Sequence, residues 1–219
     1  MRIVLTGTEA AAVPLAAALD AEGFDVVSCP LVAVEPVPGP PLRAAGYDWL
    51  LLTSRNVVEI LFERLEGPLP RVAAVGPGTA EALRAHGREP DLVASVSTQE
   101  GLAAELPRPA GRVLFAGAED SRDVLVRELG ADFVPLYRTV PLRPADFPQA
   151  DLAVVASPSA ARALAALGRD LLCVSIGPVT SAEARRVGLR VVAEAETHDR
   201  EGLLLAVKLA ASNAGSSPS

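Results

Sequence analysis

Aromatic side chains make up only 4% of the 219 residues, and the chain holds just two cysteines and two histidines. Each scarcity excludes a class of chemistry. Cys29 and Cys173 each lie inside an apolar run with no CxxC or CxH neighbour, which predicts buried, reduced thiols and no metal or redox centre. His86 and His198 are too few for a zinc site or for several histidine-dependent catalytic sets, and His86, ending a helix before Gly87, suits the negative end of a helix dipole. There is no GxGxxG after a strand, no GxxxxGK[ST], no GxSxG and no HExxH. Nucleotide cofactors, metal hydrolysis and serine nucleophiles are therefore disfavoured, and no cofactor is expected. No apolar run is long enough to cross a bilayer, and the opening MRIVLTG enters a strand with no basic leader, so the expectation is a cytoplasmic protein without a membrane partner. The net charge of −7, with no basic stripe, argues against nucleic acid as a partner. It argues less against a small anion, which local N–H donors can bind.

What the chain does have is a sentence written twice. Asp48 to Leu65 (DWLLLTSRNVVEILFERL) returns as Asp151 to Leu167 (DLAVVASPSAARALAAL). Gly76-Pro77-Gly78-Thr79 returns as Gly177-Pro178-Val179-Thr180, and Glu100-Gly101-Leu102 as Glu201-Gly202-Leu203, both at a separation of 101 residues. The opening RIVLT followed by Gly7 is echoed by Arg112 to Ala116 (RVLFA) followed by Gly117. A duplicated α/β unit with a cleft between facing copies is the economical reading.

Short β-branched apolar runs alternate with alanine-rich helical patterns. RIVLT, DVVSC, DWLLLT, RVAAV, RVLFA, DFVPL, DLAVVA, LLCVSI and LRVV read as strands. Helices are expected over Ala10–Glu22, Arg55–Leu65, Thr79–His86, Gln99–Leu106, Ser121–Leu129, Ser159–Leu167, Thr180–Val187 and Glu201–Leu209. Such alternation predicts parallel sheets with helices on both faces, a three-layer, flavodoxin-like arrangement in each domain. Two proline-bounded segments, Pro30 to Pro36 and Pro135 to Pro141, match each other and can pair as a two-stranded hinge ladder. Domain 1 is then discontinuous, residues 1–34 plus 141–211, and domain 2 covers 36–137. Residues 212–219, Ser- and Gly-rich, are expected to be a disordered tail.

Thr53-Ser54, Gly76 to Thr79, Ser157-Pro158-Ser159 and Gly177 to Thr180 each follow a strand and open a helix. At the carboxyl edge of a parallel sheet such hydroxyls cap helices, and the free N–H groups accept anions. Tyr137, in the second proline-bounded segment, offers a phenol as donor or acid. Tyr47 and Trp49, flanking Asp48, read as packing residues.

Taken together, TSRNVVEIL, AVGPGTAEALRAHG, PLYRTVP, SPSAARAL and SIGPVTSAEARRVGL followed by EGLLLAV resemble the uroporphyrinogen-III synthase family from Met1 to about Ala210. The resemblance implies two α/β domains joined by a two-stranded ladder. It also implies a cofactor-free, metal-free lyase that cyclises linear hydroxymethylbilane with inversion of the last pyrrole ring. Tyr137 matches the family's assisting tyrosine. Thr53, Ser54, Gly76, Thr79, Ser157, Ser159, Gly177 and Thr180 become substrate-binding candidates, and a monomer is expected. The chain departs from the family where Gly7 replaces an expected arginine and Val179 an expected threonine. Gly117 and Arg122 keep the glycine and arginine after the middle strand, with one extra residue between them. The alternative consistent with Gly7 and Val179 is a non-catalytic tetrapyrrole-binding homologue; an exported solute receptor is disfavoured by the missing leader.

Overall fold

The computed structural model of the protein describes residues 1 to 215. Along the chain run β1 (Arg2–Leu5), α1 (Glu9–Ala21), β2 (Asp25–Ser28), β3 (Val32–Pro36), β4 (Trp49–Leu52), α2 (Arg55–Arg64), β5 (Arg71–Ala74), α3 (Pro77–Ala85), β6 (Leu92–Val93), α4 (Gln99–Glu105), β7 (Val113–Ala118), α5 (Val124–Leu129), β8 (Asp132–Pro141), β9 (Leu152–Val155), α6 (Pro158–Ala165), β10 (Leu172–Ser175), α7 (Pro178–Arg186), β11 (Arg190–Glu194) and α8 (Arg200–Gly215). They form two compact units, Met1–Ala33 with the chain from Val140 onward, and Val34–Thr139.

The first unit holds a sheet in the order β11-β10-β9-β1-β2, with parallel pairing throughout. Numbered along the chain, that is the 2-1-3-4-5 order of flavodoxin-like sheets. In the second unit the order is β3-β8-β7-β4-β5-β6, and β8 to β6 are likewise parallel. Taking β7 and β8 as first and second strands and β4, β5 and β6 as the rest restores the same order, so the second unit is a permuted copy that begins at its third strand. This explains why RVLFA echoes the opening RIVLT from so far down the chain.

Strand side chains alternate between two helix-covered faces. In β1 and β9, Ile3, Leu5, Leu152 and Val154 pack with Leu15, Leu19 and Val207. Val4, Ala153 and Val155 turn to the other face, against Ala161, Leu164 and Ala184. In β4, Leu50 and Leu52 join Val57, Leu61 and Leu83, while Trp49 and Leu51 join Leu102, Leu106 and Phe115. Period-2 alternation with both faces apolar is what a buried parallel sheet requires. Cys29 and Cys173 are free and buried, and burial pushes the Cys173 thiol up to about 11.

The repeated aspartates sit at the amino ends of the central strands. Asp48 Oδ2 accepts the N–H of Arg112 at 2.8 Å, and the N–H of Asp48 returns a bond to Arg112 O at 2.8 Å. Asp151 Oδ2 accepts from Arg2 N at 2.7 Å, with Asp151 N donating to Arg2 O at 2.8 Å. Each pair fixes the register of a central strand pair, β4 with β7 and β9 with β1. Gly111 completes the first clamp: its φ is +72°, and a Cβ there would collide with the Asp48 carboxylate.

Several elements differ from the sequence-based expectation. DFVPL and the second proline-bounded segment form one ten-residue strand, β8. Its Pro135 faces Gly117 next to a register shift, where an interrupted ladder tolerates a missing N–H. The two-residue β6 was not expected, because Leu92-Val93 is too short to show a period. Helix α5 starts at Val124 rather than Ser121, with no side-chain cap bond to start it earlier. Pro77 and Pro178 lie inside the first turns of α3 and α7, since proline is pre-shaped for that position. Helix α8 runs to Gly215, correcting the expected disordered tail over residues 212–215; the rest of that tail lies outside the described residues.

Replacing Asp48 or Asp151 by alanine removes a charge-assisted bond to a strand N–H and is expected to cost about 1–2 kcal/mol in urea unfolding. Asn, which keeps an acceptor oxygen, should cost less. Gly111→Ala should cost at least as much as Asp48→Ala; a neutral Gly111→Ala would contradict the clamp.

Candidate active site

The strand order reverses between β1 and β9 in the first unit and between β7 and β4 in the second, and in open α/β sheets ligands bind beyond the carboxyl ends of the strands at such points. After β1, Thr6 is fully buried and its hydroxyl donates to Val154 O at 2.8 Å, locking β1 to β9. Gly7 follows. A Cβ there would meet only Ala156 Cβ, at 3.7 Å, so the backbone leaves room for a side chain.

The duplicated loops divide into two kinds. Ser54 and Ser157 are N-caps whose hydroxyls accept from Asn56 N at 3.0 Å and from Ala160 N at 3.1 Å. Both are only partly buried, as are Thr53 and Ser159. Gly76 and Gly177 cap α3 and α7 without a side-chain bond, and both are buried. Their reason is space: a Cβ on Gly76 would strike Ser97, and one on Gly177 would strike the His198 ring. Thr79 and Thr180 point inward, 4% and 3% exposed, while Val179, beside Thr180, is 40% exposed. At the start of α7 the hydroxyl retained is thus the buried one, and the open position carries valine. Glu-Gly-Leu repeats for packing as well, because a Cβ on Gly101 or Gly202 would hit the carbonyl of Val96 or Thr197. Thr98 and Asp199 cap these two helices by accepting from Gly101 N at 3.0 Å and Gly202 N at 2.8 Å.

Tyr137 belongs to the same edge as Ser54. Strands β7 and β8 run in register to Gly117 opposite Pro135, and then Ala118 faces Tyr137, skipping Leu136. This bulge lets consecutive residues, Leu136 and Tyr137, both enter the core that contains Val57 and Val58 of α2. It is held by Glu119 N donating to Tyr137 O at 2.7 Å and Val37 N donating to Leu136 O at 2.8 Å. Tyr137 is 6% exposed. Burial raises the pKa of its phenol, hydrogen bonding with Ser54 opposes this, the Asp120 charge adds to the rise, and hydrogen bonding with Asn56 again lowers it. Tyr47 lies at the opposite end of the sheet, its hydroxyl donating to Asp132 at 2.8 Å beneath the Arg112 guanidinium.

Charged groups frame both edges. Arg122 forms a two-pronged pair with Glu100, 2.5 and 2.9 Å, and this pairing holds the Glu100 carboxyl below its ordinary range. In the first unit Arg162 reaches from α6 to Glu183 on α7 at 3.0 Å and donates to Ser159 Oγ at 3.1 Å, so the Ser159 hydroxyl already has a partner. Among the described residues, no group of three or more His, Cys, Asp or Glu side chains is placed to hold a metal ion. Asn56, Asp120, Glu100 and His198 are neighbours of the site that sequence reasoning did not select. For His198 a signal existed, since it stands 101 residues after Ser97, as Gly177 does after Gly76.

Arg186 and Arg162 together bring the Glu183 carboxyl down to about 2 from 4.5. A carboxyl lowered in the folded state stabilises it above its unfolded pKa and loses that contribution as pH falls from about 4.5 toward about 2. Carboxyl ¹³C titration should find Glu183 still ionised well below pH 4.5, and Arg186→Gln should move it back up. A Glu183 with an ordinary titration would contradict the clasp.

Comparison with known proteins gives a consistent answer. The family model described as uroporphyrinogen-III synthase HemD matches residues 13–204. A uroporphyrinogen-III synthase of Synechococcus elongatus is 29% identical, the alignment covering 89% of each chain. Among solved structures, a uroporphyrinogen III synthase from the extremely thermophilic bacterium Thermus thermophilus superposes with a TM-score of 0.63 at 22% identity, over 97% of this chain and 99% of that one. The enzyme from Helicobacter pylori gives 0.65 at 20% identity, over 95% and 100%. The structural likenesses establish the fold, and the family match extends over most of the chain that builds both sheets: this chain belongs to the uroporphyrinogen-III synthase family, cyclising lyases of tetrapyrrole biosynthesis.

Proposed function

We propose that the protein cyclises hydroxymethylbilane to uroporphyrinogen III, with Tyr137 as the acid that assists departure of the terminal hydroxyl. The observation that carries the assignment of Tyr137 is its placement by the β8 bulge beside Ser54, at the switch point of the second sheet. The carbon–oxygen bond breaks with its electron pair going to oxygen, which takes the phenolic proton and leaves as water. The azafulvene cation so formed is attacked by the substituted carbon of the last pyrrole. A spiro intermediate lets that ring invert before closure, and the proton lost as the ring regains aromaticity balances the one delivered.

Such a substrate needs shape control more than nucleophilic help, since holding its two ends together supplies proximity. Its carboxylates are received by N–H donors at the starts of α2, α3, α6 and α7, supported by the hydroxyls of Thr53, Ser54, Ser157 and Ser159. At Gly76–Thr79 and Gly177–Thr180 the backbone N–H groups carry this role, in keeping with the burial of Thr79 and Thr180. Strands β3 and β8, in which the chain passes between the units, serve as the hinge ladder. The reading is of a cytoplasmic monomer whose reaction calls on no metal, cofactor, membrane or nucleic acid.

Protein treated with a chelator should convert enzymatically made hydroxymethylbilane to the type III isomer; exclusive formation of the type I isomer, which arises without enzyme, would defeat the reading. Tyr137→Phe keeps the ring and deletes the donor, so turnover should fall by about 10² with little change in melting temperature. Gly7→Arg, for which the backbone has room, should fold normally and lower KM by adding a cation to the carboxylate-binding edge. An unchanged or raised KM would count against that edge as the substrate site.

A further inference from the structure

Ser159 lies in the first turn of α6, the helix that follows β9 at the switch point of the first sheet, and its hydroxyl is already in use. Arg162, one turn further on, donates from Nη2 to Ser159 Oγ at 3.1 Å and from Nη1 to Glu183 Oε1 on α7 at 3.0 Å. Helical side chains lean toward the amino end of their helix, and these two bonds hold the guanidinium over the first turn of α6. Glu183 alone does not neutralise its partners. Arg186 also grips that carboxylate, Nε at 2.7 Å and Nη2 at 2.9 Å, so two guanidiniums share one carboxylate and the trio is net positive. The loop after β1 comes against the residue just before this helix, where a Cβ on Gly7 would meet Ala156 Cβ at 3.7 Å, and it reads Thr6-Gly7-Thr8-Glu9, with no cation. With Ser54 matched to Ser157, the second copy has Glu59 where the first has Arg162, and Glu59 meets His86 on α3 at 3.3 Å. A bridge between successive helices is thus common to both copies, whereas a guanidinium bonded to a first-turn hydroxyl is particular to the first.

We propose that Arg162 binds a carboxylate of the tetrapyrrole: the carboxylate displaces the Ser159 hydroxyl as acceptor, and Arg162, Ser159 and the N–H groups that open α6 then hold it together. A hydroxyl is a neutral acceptor, and a guanidinium bonds a carboxylate roughly twice as strongly, so the exchange is favourable. Ser159, released from accepting, turns its own O–H to the same group. Glu183 keeps its hold on Nη1 throughout, so the guanidinium is presented in a fixed orientation and little side-chain freedom is lost on binding. In this way the switch point acquires the positive charge that the loop after β1 does not supply. The role is one of binding, and it leaves the chemical step to other groups. The inference rests on the proposed action on hydroxymethylbilane, whose acetate and propionate groups are the carboxylates concerned.

Formation of the type III isomer from hydroxymethylbilane is to be followed in the wild type, Arg162→Gln, Arg162→Lys and Glu183→Gln. Arg162→Gln should raise KM about tenfold with turnover little changed, the loss expected for a charge-assisted bond at a half-open position. The difference from wild type should narrow as salt is added, and Arg162→Lys, which keeps the charge, should recover part of the affinity. Glu183→Gln breaks the same bridge to α7 but leaves the cation, so its KM should not rise. Should Arg162→Gln prove too unstable to assay, Arg162→Gln combined with Glu183→Gln, whose two amides can bridge the helices, carries the same expectation. An unchanged KM without the Arg162 charge, or equal rises in Arg162→Gln and Glu183→Gln, overturns the proposal alone when the wild type makes the type III isomer. A wild type that yields only the type I isomer overturns it together with the reading on which it rests.

Discussion

Two reciprocal clamps, Asp48 with Arg112 and Asp151 with Arg2, hold the amino ends of the central parallel strand pairs in register. Parallel pairing is slanted and has no hairpin to fix it, so register must come from side-chain alternation and from the strand ends. With the amino ends pinned, every loop at the carboxyl ends inherits its position. Ser54 and Ser157 come to the switch points because β4 and β9 are each four residues long and start at the clamp. The clamps lie at the amino ends of their strands, and their consequence is the geometry at the carboxyl ends.

The duplication carries two kinds of residue, and the structure separates them. Gly76, Gly101, Gly177 and Gly202 recur because a Cβ would overlap a neighbour, and Asp48 and Asp151 because they set register. Those are demands of the fold. Thr53, Ser54, Ser157 and Ser159 remain partly open at the sheet edge, where a hydroxyl can do more than cap. Tyr137, matched by Val32 in the first unit's segment, depends on a bulge that admits one extra residue between Gly117 and the end of β8.

Much of the fold was legible because periodicity is a direct record of burial: alternating apolar strands and alanine-rich helices gave nearly all of the elements, and the repeat gave a duplicated α/β unit, whose strand order came only with the structure. The misses are local. Strand β6 is two residues long, and β8 continues through a proline that a sequence reading treats as punctuation. The site was less legible. Serine and threonine at strand exits are visible in sequence, but which hydroxyls face inward depends on their place in the first helical turn, and Thr79 and Thr180 lie on its buried side. Asn56 and Asp120 could not be selected at all, since their electrostatic influence on the Tyr137 phenol arises only once the chain is folded.

Every role proposed at the site turns on Tyr137 meeting the reacting end of the tetrapyrrole, and Tyr47, at the opposite end of the same sheet, is a built-in control. The most direct measurement is the ¹³Cζ spectrum of labelled tyrosines as uroporphyrinogen III is added under reducing conditions. The Tyr137 resonance should shift as the site fills while the Tyr47 resonance stays in place. Saturating product that leaves Tyr137 unmoved would contradict the assignment.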